Sequence, residues 1–174
     1  MANIFLISDH HLFHGNILTF LKADGTNVRS FSSVEEMDEH MIACHNSVVR
    51  PGDKTYFLGD VCFSAKALPL VARMNGEKVL IKGNHDKLKL SQYQTLFKDV
   101  RGSHQFDGML LTHIPVHTES LARWPCNVHG HLHTNRVRLH NGEVDPRYFN
   151  VSVECINYTP ISLEELKLEI KKQS

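Results

Sequence analysis

The sequence predicts a mixed α/β domain with helices covering both outer faces, on three observations. Early in the chain, short apolar strands alternate with helical segments. Later the texture changes to strands separated by turn residues, as in hairpins. Two serine-capped amphipathic helices, one early and one at the end, supply apolar faces for a sheet.

Asn3 to Ser8, NIFLIS, reads as a short buried strand and runs straight into DHHLFHGN. Asn16 to Lys22 fits a short helix, and ADGTNVRS after it is a loop. Ser32 or Ser33 opens a longer helix, since each has a glutamate three residues on, the reciprocal N-terminal cap. Val34, Met37, Met41, Cys44 and Val48 recur at helical spacing, with Glu35, Glu36, Asp38 and Glu39 on the other side. The two methionines are therefore expected in the core, and Pro51-Gly52 closes the segment.

Lys54 to Leu58 is a second strand, ending at Gly59-Asp60. A helix is expected from about Ser64 to Met74, across Pro69. KVLIKGNHD, residues 78 to 86, is a third strand that stops at a glycine and three polar side chains. A weak helix near Ser91 to Phe97 precedes SHQFDGMLLTHIP, a hairpin turning at Asp107-Gly108. CNVHGHLH, NRVRLH and YFNVSVECINY read as further strands, and Ser162 caps the final helix, SLEELKLEIKKQ. With no internal repeat, linker or low-complexity tract, residues 1–174 read as a single domain.

Composition narrows the function classes. Hydrophobic content of 41% with 22% charged residues is ordinary for a soluble globular chain. Lys+Arg and Asp+Glu balance at 19 each, which argues against a basic groove for long nucleic acid but leaves a small phosphate ester open as substrate. Cys44, Cys62, Cys126 and Cys155 are too scattered for a zinc knuckle or a disulfide framework. MANIFLIS lacks the basic start of a signal peptide, and no apolar run is long enough to span a membrane, so no membrane partner and a cytoplasmic location are expected. The 13 histidines are abnormal, and their positions carry the argument.

Five apolar segments in succession end in Asp, His or Asn: at Asp9-His10-His11, Gly59-Asp60, Gly83-Asn84-His85-Asp86, His113, and His129-Gly130-His131-Leu132-His133. Ligands of α/β sheets sit beyond the carboxyl ends of strands. Carboxylate and imidazole together suit Mn²⁺, Fe²⁺ or Zn²⁺, and a carboxylate can bridge two ions. Two ions roughly 3.5–4 Å apart can clamp the attacking and leaving oxygens of a phosphoryl transfer.

The ordered set Asp9-x-His11, Gly59-Asp60, Gly83-Asn84-His85-Asp86, His113 and Gly130-His131-x-His133 resembles the calcineurin-like metallophosphoesterases, in particular the small, cap-less bacterial and bacteriophage type. The resemblance implies an α/β/β/α four-layer fold, a two-sheet β-sandwich flanked by helices. It implies two divalent metal ions, with Asp9, His11, Asp60 and His133 on the first and Asp60, Asn84, His113 and His131 on the second. Mn²⁺ is the favoured ion, and Fe²⁺, Zn²⁺, Ni²⁺ and Mg²⁺ are alternatives. Catalysis would follow from a hydroxide bridging the two ions and attacking phosphorus, with His85 assisting the leaving group and Asp86 orienting His85 or keeping it cationic.

The function expected is a dinuclear metal-dependent phosphodiesterase acting on small nucleotide-type substrates. The alternatives are a phosphomonoesterase acting on nucleotides or proteins, a nuclease, and a non-catalytic scaffold of the same fold. His14 and Arg123 are candidates for substrate phosphate contact. His10 is read as a bystander, His117 and His129 as flanking groups, and His40, His45, His104 and His140 as surface or half-buried residues. Trp124 is expected to pack more readily than to stack on a base.

Overall fold

Ile4–Ile7 forms β1 in the computed structural model, which describes residues 2–173. It pairs in parallel with β2 (Lys54–Phe57), β2 with β3 (Glu77–Ile81), and β3 with β4 (Asp99–Arg101). β9 (Ile161–Ser162) closes the other edge antiparallel to β1, giving the order β4-β3-β2-β1-β9. The parallel pairs exist because helical crossovers return the chain to the same end of the sheet. A second sheet, β5-β6-β7-β8, comprises His104–Phe106, Met109–Leu111, Asn127–His129 and Tyr148–Asn150. Its first pair is the expected antiparallel hairpin, and β6, β7 and β8 are parallel.

Period-two alternation sorts the first sheet between two cores. Leu6, Tyr56, Val79 and Ile81 face Met109, Leu111, Val128 and Phe149 of the second sheet in one buried cluster. Ile7, Phe57 and Leu80 point the other way, onto Met37, Met41, Ile42, Val71, Tyr93 and Phe97. The two sheets thus pack face to face, with α1 (Val34–Val48), α2 (Leu68–Ala72) and α3 (Leu90–Tyr93) on the outer face of the first. α4 (Leu163–Gln173) sends Leu163, Leu166 and Ile170 into the cluster between the sheets.

The caps form as the sequence predicts. Ser33 Oγ accepts from Glu36 N at 3.1 Å, while the Glu36 carboxylate returns to Ser32 N at 2.8 Å, so both serines are used. Ser162 Oγ accepts from Glu165 N at the start of α4.

Other expectations are corrected. Asn16 to Lys22 is a 3₁₀ turn, Gly15–Thr19, and Ser64 to Met74 divides into a 3₁₀ turn, Ala65–Ala67, and α2. Pro69 sits in the first turn of α2, where its missing N–H leaves no bond unmade. α3 is a single turn, and β4 has no apolar run to announce it. NRVRLH gives only an isolated bridge, Arg138 with Val144, and YFNVSVECINY leaves the sheet after Asn150 for a 3₁₀ turn, Val153–Cys155. Among the described residues, no α-helix contributes to the apolar cluster beyond the second sheet, so cover of both outer faces by helices is not seen. Beyond the second sheet a small cluster of Leu110, Leu121 and Tyr148 is closed by Val116 and Trp124, around the 3₁₀ turn Thr118–Leu121. Among the described residues no helix is long and apolar enough to cross a membrane.

Candidate metal centre

Because β1, β2 and β3 are parallel, the loops after them emerge at one edge, carrying Asp9 and His11, Asp60, and Asn84. The parallel pair β6 and β7 adds His113 and His131 with His133. Two groups result, Asp9–His11–His133 and Asp60–His113–His131, in each of which the candidate ligand atoms lie within 4.8 Å of one another.

The backbone is bent to achieve this. Asp9 (φ 61°), His11 (52°), Asp60 (52°), His131 (69°) and His133 (50°) all adopt the left-handed region, which costs a non-glycine residue of order 1–3 kcal/mol. The chain is thus kinked at the ligand residues that follow β1, β2 and β7. Two glycines allow the loops to touch. A Cβ on Gly83 would strike the carboxylate and backbone N of Asp60, and one on Gly130 would strike Asp9 Oδ2 and Ser8 Oγ.

Asp9 is anchored through Oδ2, which accepts from Ser8 Oγ at 2.6 Å, Ser152 Oγ at 2.9 Å and His131 N at 2.9 Å. Its Oδ1 lies 4.0 Å from His11 Nε2. Asp60 lies between the two groups: Oδ1 accepts from His85 N at 2.8 Å, and Oδ2 is 3.6 Å from His11 Nε2 and 3.2 Å from His113 Nε2.

The tautomers follow from the partners. His113 Nδ1 is 2.8 Å from Leu58 O, a carbonyl that can only accept, so Nδ1 carries a proton. In the neutral ring Nε2 is then an acceptor, yet it faces Asn84 Oδ1 at 2.9 Å and Asp60 Oδ2 at 3.2 Å. Three lone pairs converge there and call for a cation or an added proton. His133 repeats the logic, with Nδ1 donating to Glu154 Oε1 at 3.0 Å and Nε2 left for a metal. His11 is buried with neither ring nitrogen hydrogen-bonded.

The surroundings of each group set its protonation in the same sense. Burial, reinforced by the Arg29 charge, lowers His11 to about 2 and keeps it neutral. Burial and the nearby His113 lower His131. Burial works against charged His113 and His133, but the carboxylates of Asp60 and Glu154 outweigh it and raise both. Burial would raise Asp60, yet His113 and the N–H of His85 hold it at about 2. Glu154 is held at about 2 against burial by His133 and Arg29. Paired carboxylates and imidazoles with unused lone pairs are a donor set that fits two divalent cations.

All seven residues expected as ligands converge on this edge, and the other candidates divide. His85 lies beside it, its ring 5.5 Å from that of His11, with Nδ1 buried and unbonded. His14 is 5.5 Å from His11, ring to ring. Asp86 does not orient His85. Its Oδ2 accepts from Asp60 N and Gly83 N and its Oδ1 from Val61 N and Cys62 N, at 2.8–3.0 Å, so the buried carboxylate is spent on tying two ligand loops together. Arg123 is exposed after the 3₁₀ turn, and no bond joins it to the cluster among the described residues.

His10 packs on Phe57 with both nitrogens unbonded, and His45, expected nearer the surface, is fully buried on the same ring. His117 caps the 3₁₀ turn, and His129 is buried, bonded to Gly130 O at 2.7 Å. Trp124 packs, as expected. Glu154 and Arg29 carry no motif and escape a sequence reading. Arg29, fully buried, donates to Glu154 Oε1 at 2.8 Å, to His10 O at 2.8 Å and to Asp9 O, and so holds the first ligand loop.

No family model matches the chain. It is 37% identical over 180 residues to the uncharacterized protein MJ1445 of Methanocaldococcus jannaschii, covering 99% of this chain and 93% of that one. Among solved structures, the protein of unknown function AQ665 from Aquifex aeolicus superposes with a TM-score of 0.71 at 24% identity, over 97% of this chain and 100% of that one, and shows the fold. Phosphopantetheinyl hydrolase (PptH) of Mycobacterium tuberculosis matches at a TM-score of 0.44 and 14% identity, over 87% of this chain and 89% of that one, too loosely to bear on this chain. At the identity and coverage of the archaeal match, the chain belongs to the same protein family as MJ1445.

Proposed function

We propose that this protein is a calcineurin-like metallophosphoesterase, a dinuclear metal-dependent phosphohydrolase that favours small phosphodiesters of nucleotide type. The carrying observation is Asp60, one of whose oxygens lies within 3.6 Å of an imidazole nitrogen of each ligand group. A carboxylate so placed can bridge two cations, which a structural zinc site does not need. Two divalent ions bound there would neutralise charge on the phosphoryl oxygens and lower the pKa of the attacking water.

The protein's own groups do the rest. Asp9, His11 and His133 hold one half of the site, Asn84, His113 and His131 the other, and Asp60 spans them. Glu154 and Leu58 O fix the tautomers of His133 and His113, so that both present Nε2. His85 delivers a proton to the departing alkoxide. Its backbone N–H is pinned to Asp60 Oδ1, while Nδ1 of its ring has no hydrogen-bond partner among the described residues and is free to serve the leaving oxygen.

The test is hydrolysis of bis-p-nitrophenyl phosphate and p-nitrophenyl phosphate by chelator-treated protein restored with Mn²⁺, Fe²⁺, Zn²⁺, Ni²⁺ or Mg²⁺ in turn. The expected result is strictly metal-dependent cleavage, best with Mn²⁺, at two ions per chain and with the diester preferred. A monoester preference would make the protein a phosphomonoesterase, and no hydrolysis with any ion would remove the enzymatic reading.

A further inference from the structure

Phe63 is large, apolar and 43% exposed, and it stands beside His85, with ring centroids 5.4 Å apart and an interplanar angle of 30°. A single exposed phenylalanine is ordinary. This one has planar company. The His14 ring stacks on it at 4.5 Å and 11°, and Phe20, 44% exposed, meets the edge of His14 at 6.4 Å.

The placement of Phe63 is built. Cys62, the residue before it, bridges Leu12 and donates its N–H to Asp86 Oδ1 at 3.0 Å. The other oxygen of Asp86 receives Gly83 N, at the start of the loop that carries His85. One carboxylate therefore ties the backbone just before Phe63 to the start of the loop that carries His85, without touching either ring.

Resting on the phosphohydrolase reading above, we propose that Phe63, backed by His14 and edged by Phe20, is the leaving-group subsite and selects leaving groups that carry a planar aromatic ring, such as a nucleobase. In the reaction, the water oxygen bonds to phosphorus and gives up a proton to solvent, the P–O bond to the alcohol breaks, and the alcohol departs with a proton from His85, which solvent then restores. The departing group is thus released at His85, where its substituent meets the accessible ring of Phe63. An aliphatic substituent gains only area there, whereas a flat ring can also stack, as His14 already does. The ring is not at the bond being broken, so it is held about equally before and during the reaction and acts chiefly through KM.

The experiment uses the metal-loaded full chain and two diesters, phenethyl methyl phosphate and cyclohexylethyl methyl phosphate, whose larger alcohols have nearly the same acidity. Release of each larger alcohol is followed by chromatography, and the readout is the ratio of the two kcat/KM values. The native protein should favour the phenethyl ester by about tenfold. That ratio should fall close to one in Phe63→Ala and persist in Phe63→Trp. A ratio near one in the native protein, or an unchanged ratio in Phe63→Ala, overturns the subsite alone if bis-p-nitrophenyl phosphate is still cleaved. Failure to cleave any of the three esters overturns the phosphohydrolase reading, and the subsite with it. Light scattering closes the other route: if Phe63→Ala changes the mass in solution and not the ratio, the aromatic patch is a contact between copies.

Discussion

Glu154 Oε1 lies 3.0 Å from His133 Nδ1 and 2.8 Å from Arg29 Nε, so one buried oxygen orients a candidate metal ligand while its own charge is balanced by a guanidinium. The carboxylate keeps the proton on Nδ1 and raises the basicity of Nε2. Glu154→Gln should weaken binding of one ion by about 10- to 100-fold and leave the chain folded. Metal titration followed by mass spectrometry of the retained ions checks this, and native affinity would deny Glu154 the role.

Asp60→Asn removes the charge shared by the two ligand groups. Both ions should weaken together, with turnover falling by more than about 100-fold, since loss of a direct ligand exceeds that of an orienting partner. A variant that still binds two ions per chain with native affinity would contradict bridging.

His85→Ala removes a proton donor but no ligand. Metal content should hold while kcat falls by about 10²- to 10⁴-fold, most for leaving groups of high pKa. Equal losses across leaving groups would take His85 out of proton transfer.

Asp86→Asn should act on stability. Whichever oxygen becomes an amide, two of the four N–H donors from Asp60, Val61, Cys62 and Gly83 lose their acceptor. The cost is on the order of 3 kcal/mol, read by urea unfolding of the metal-free chain. The midpoint of the acid limb in the pH–rate profile should stay in place, because the Asp86 carboxylate does not bond to the His85 ring. A moved midpoint with native stability would restore the pairing expected from their adjacency in sequence.

Acid should destabilise the metal-free protein. Burial lowers His45 from 6.5 to about 4, partly opposed by its bond to Asn75 O and assisted by the Lys78 charge. The unfolded chain therefore binds the extra proton first. The stability held by neutral His45 is complete above pH 6.5 and is lost as pH falls from there through about 4. The gap is worth on the order of 3 kcal/mol. His10 and His129 are lowered by burial in the same sense. His45→Gln, which can still donate to Asn75 O, should give a shallower but not flat dependence of unfolding free energy between pH 7 and 4, and an identical slope would deny His45 its share.

Much of this was local enough to read along the chain. Ser33 and Glu36 cap α1 because their spacing is a property of the helix itself. Met37 and Met41 are buried because 3.6-residue periodicity puts them on one face. His45 lies on that same stripe, four residues past Met41, and its burial was legible to anyone who followed the period past the polar letter. β4 was not legible, being three residues long with no apolar run, while α3 was expected as a weak helix near Ser91 to Phe97 and forms as a single turn, Leu90–Tyr93.

By itself, the sequence determined which side chains finish each strand, and with them the kinds of ligand atom brought to the sheet edge: carboxylates, imidazoles and one amide. Only the tertiary structure decided which of those groups lie within reach of one another, which nitrogen of His113 and His133 faces inward, and that Asp86 binds loops while Glu154 bonds to His133. The reason is physical. A strand fixes the direction of its own side chains through covalent geometry, but hydrogen-bond partners 25 residues apart, as with Cys62's neighbour Val61 and Asp86, or 125 apart, as with Arg29 and Glu154, are chosen by packing that no local rule encodes.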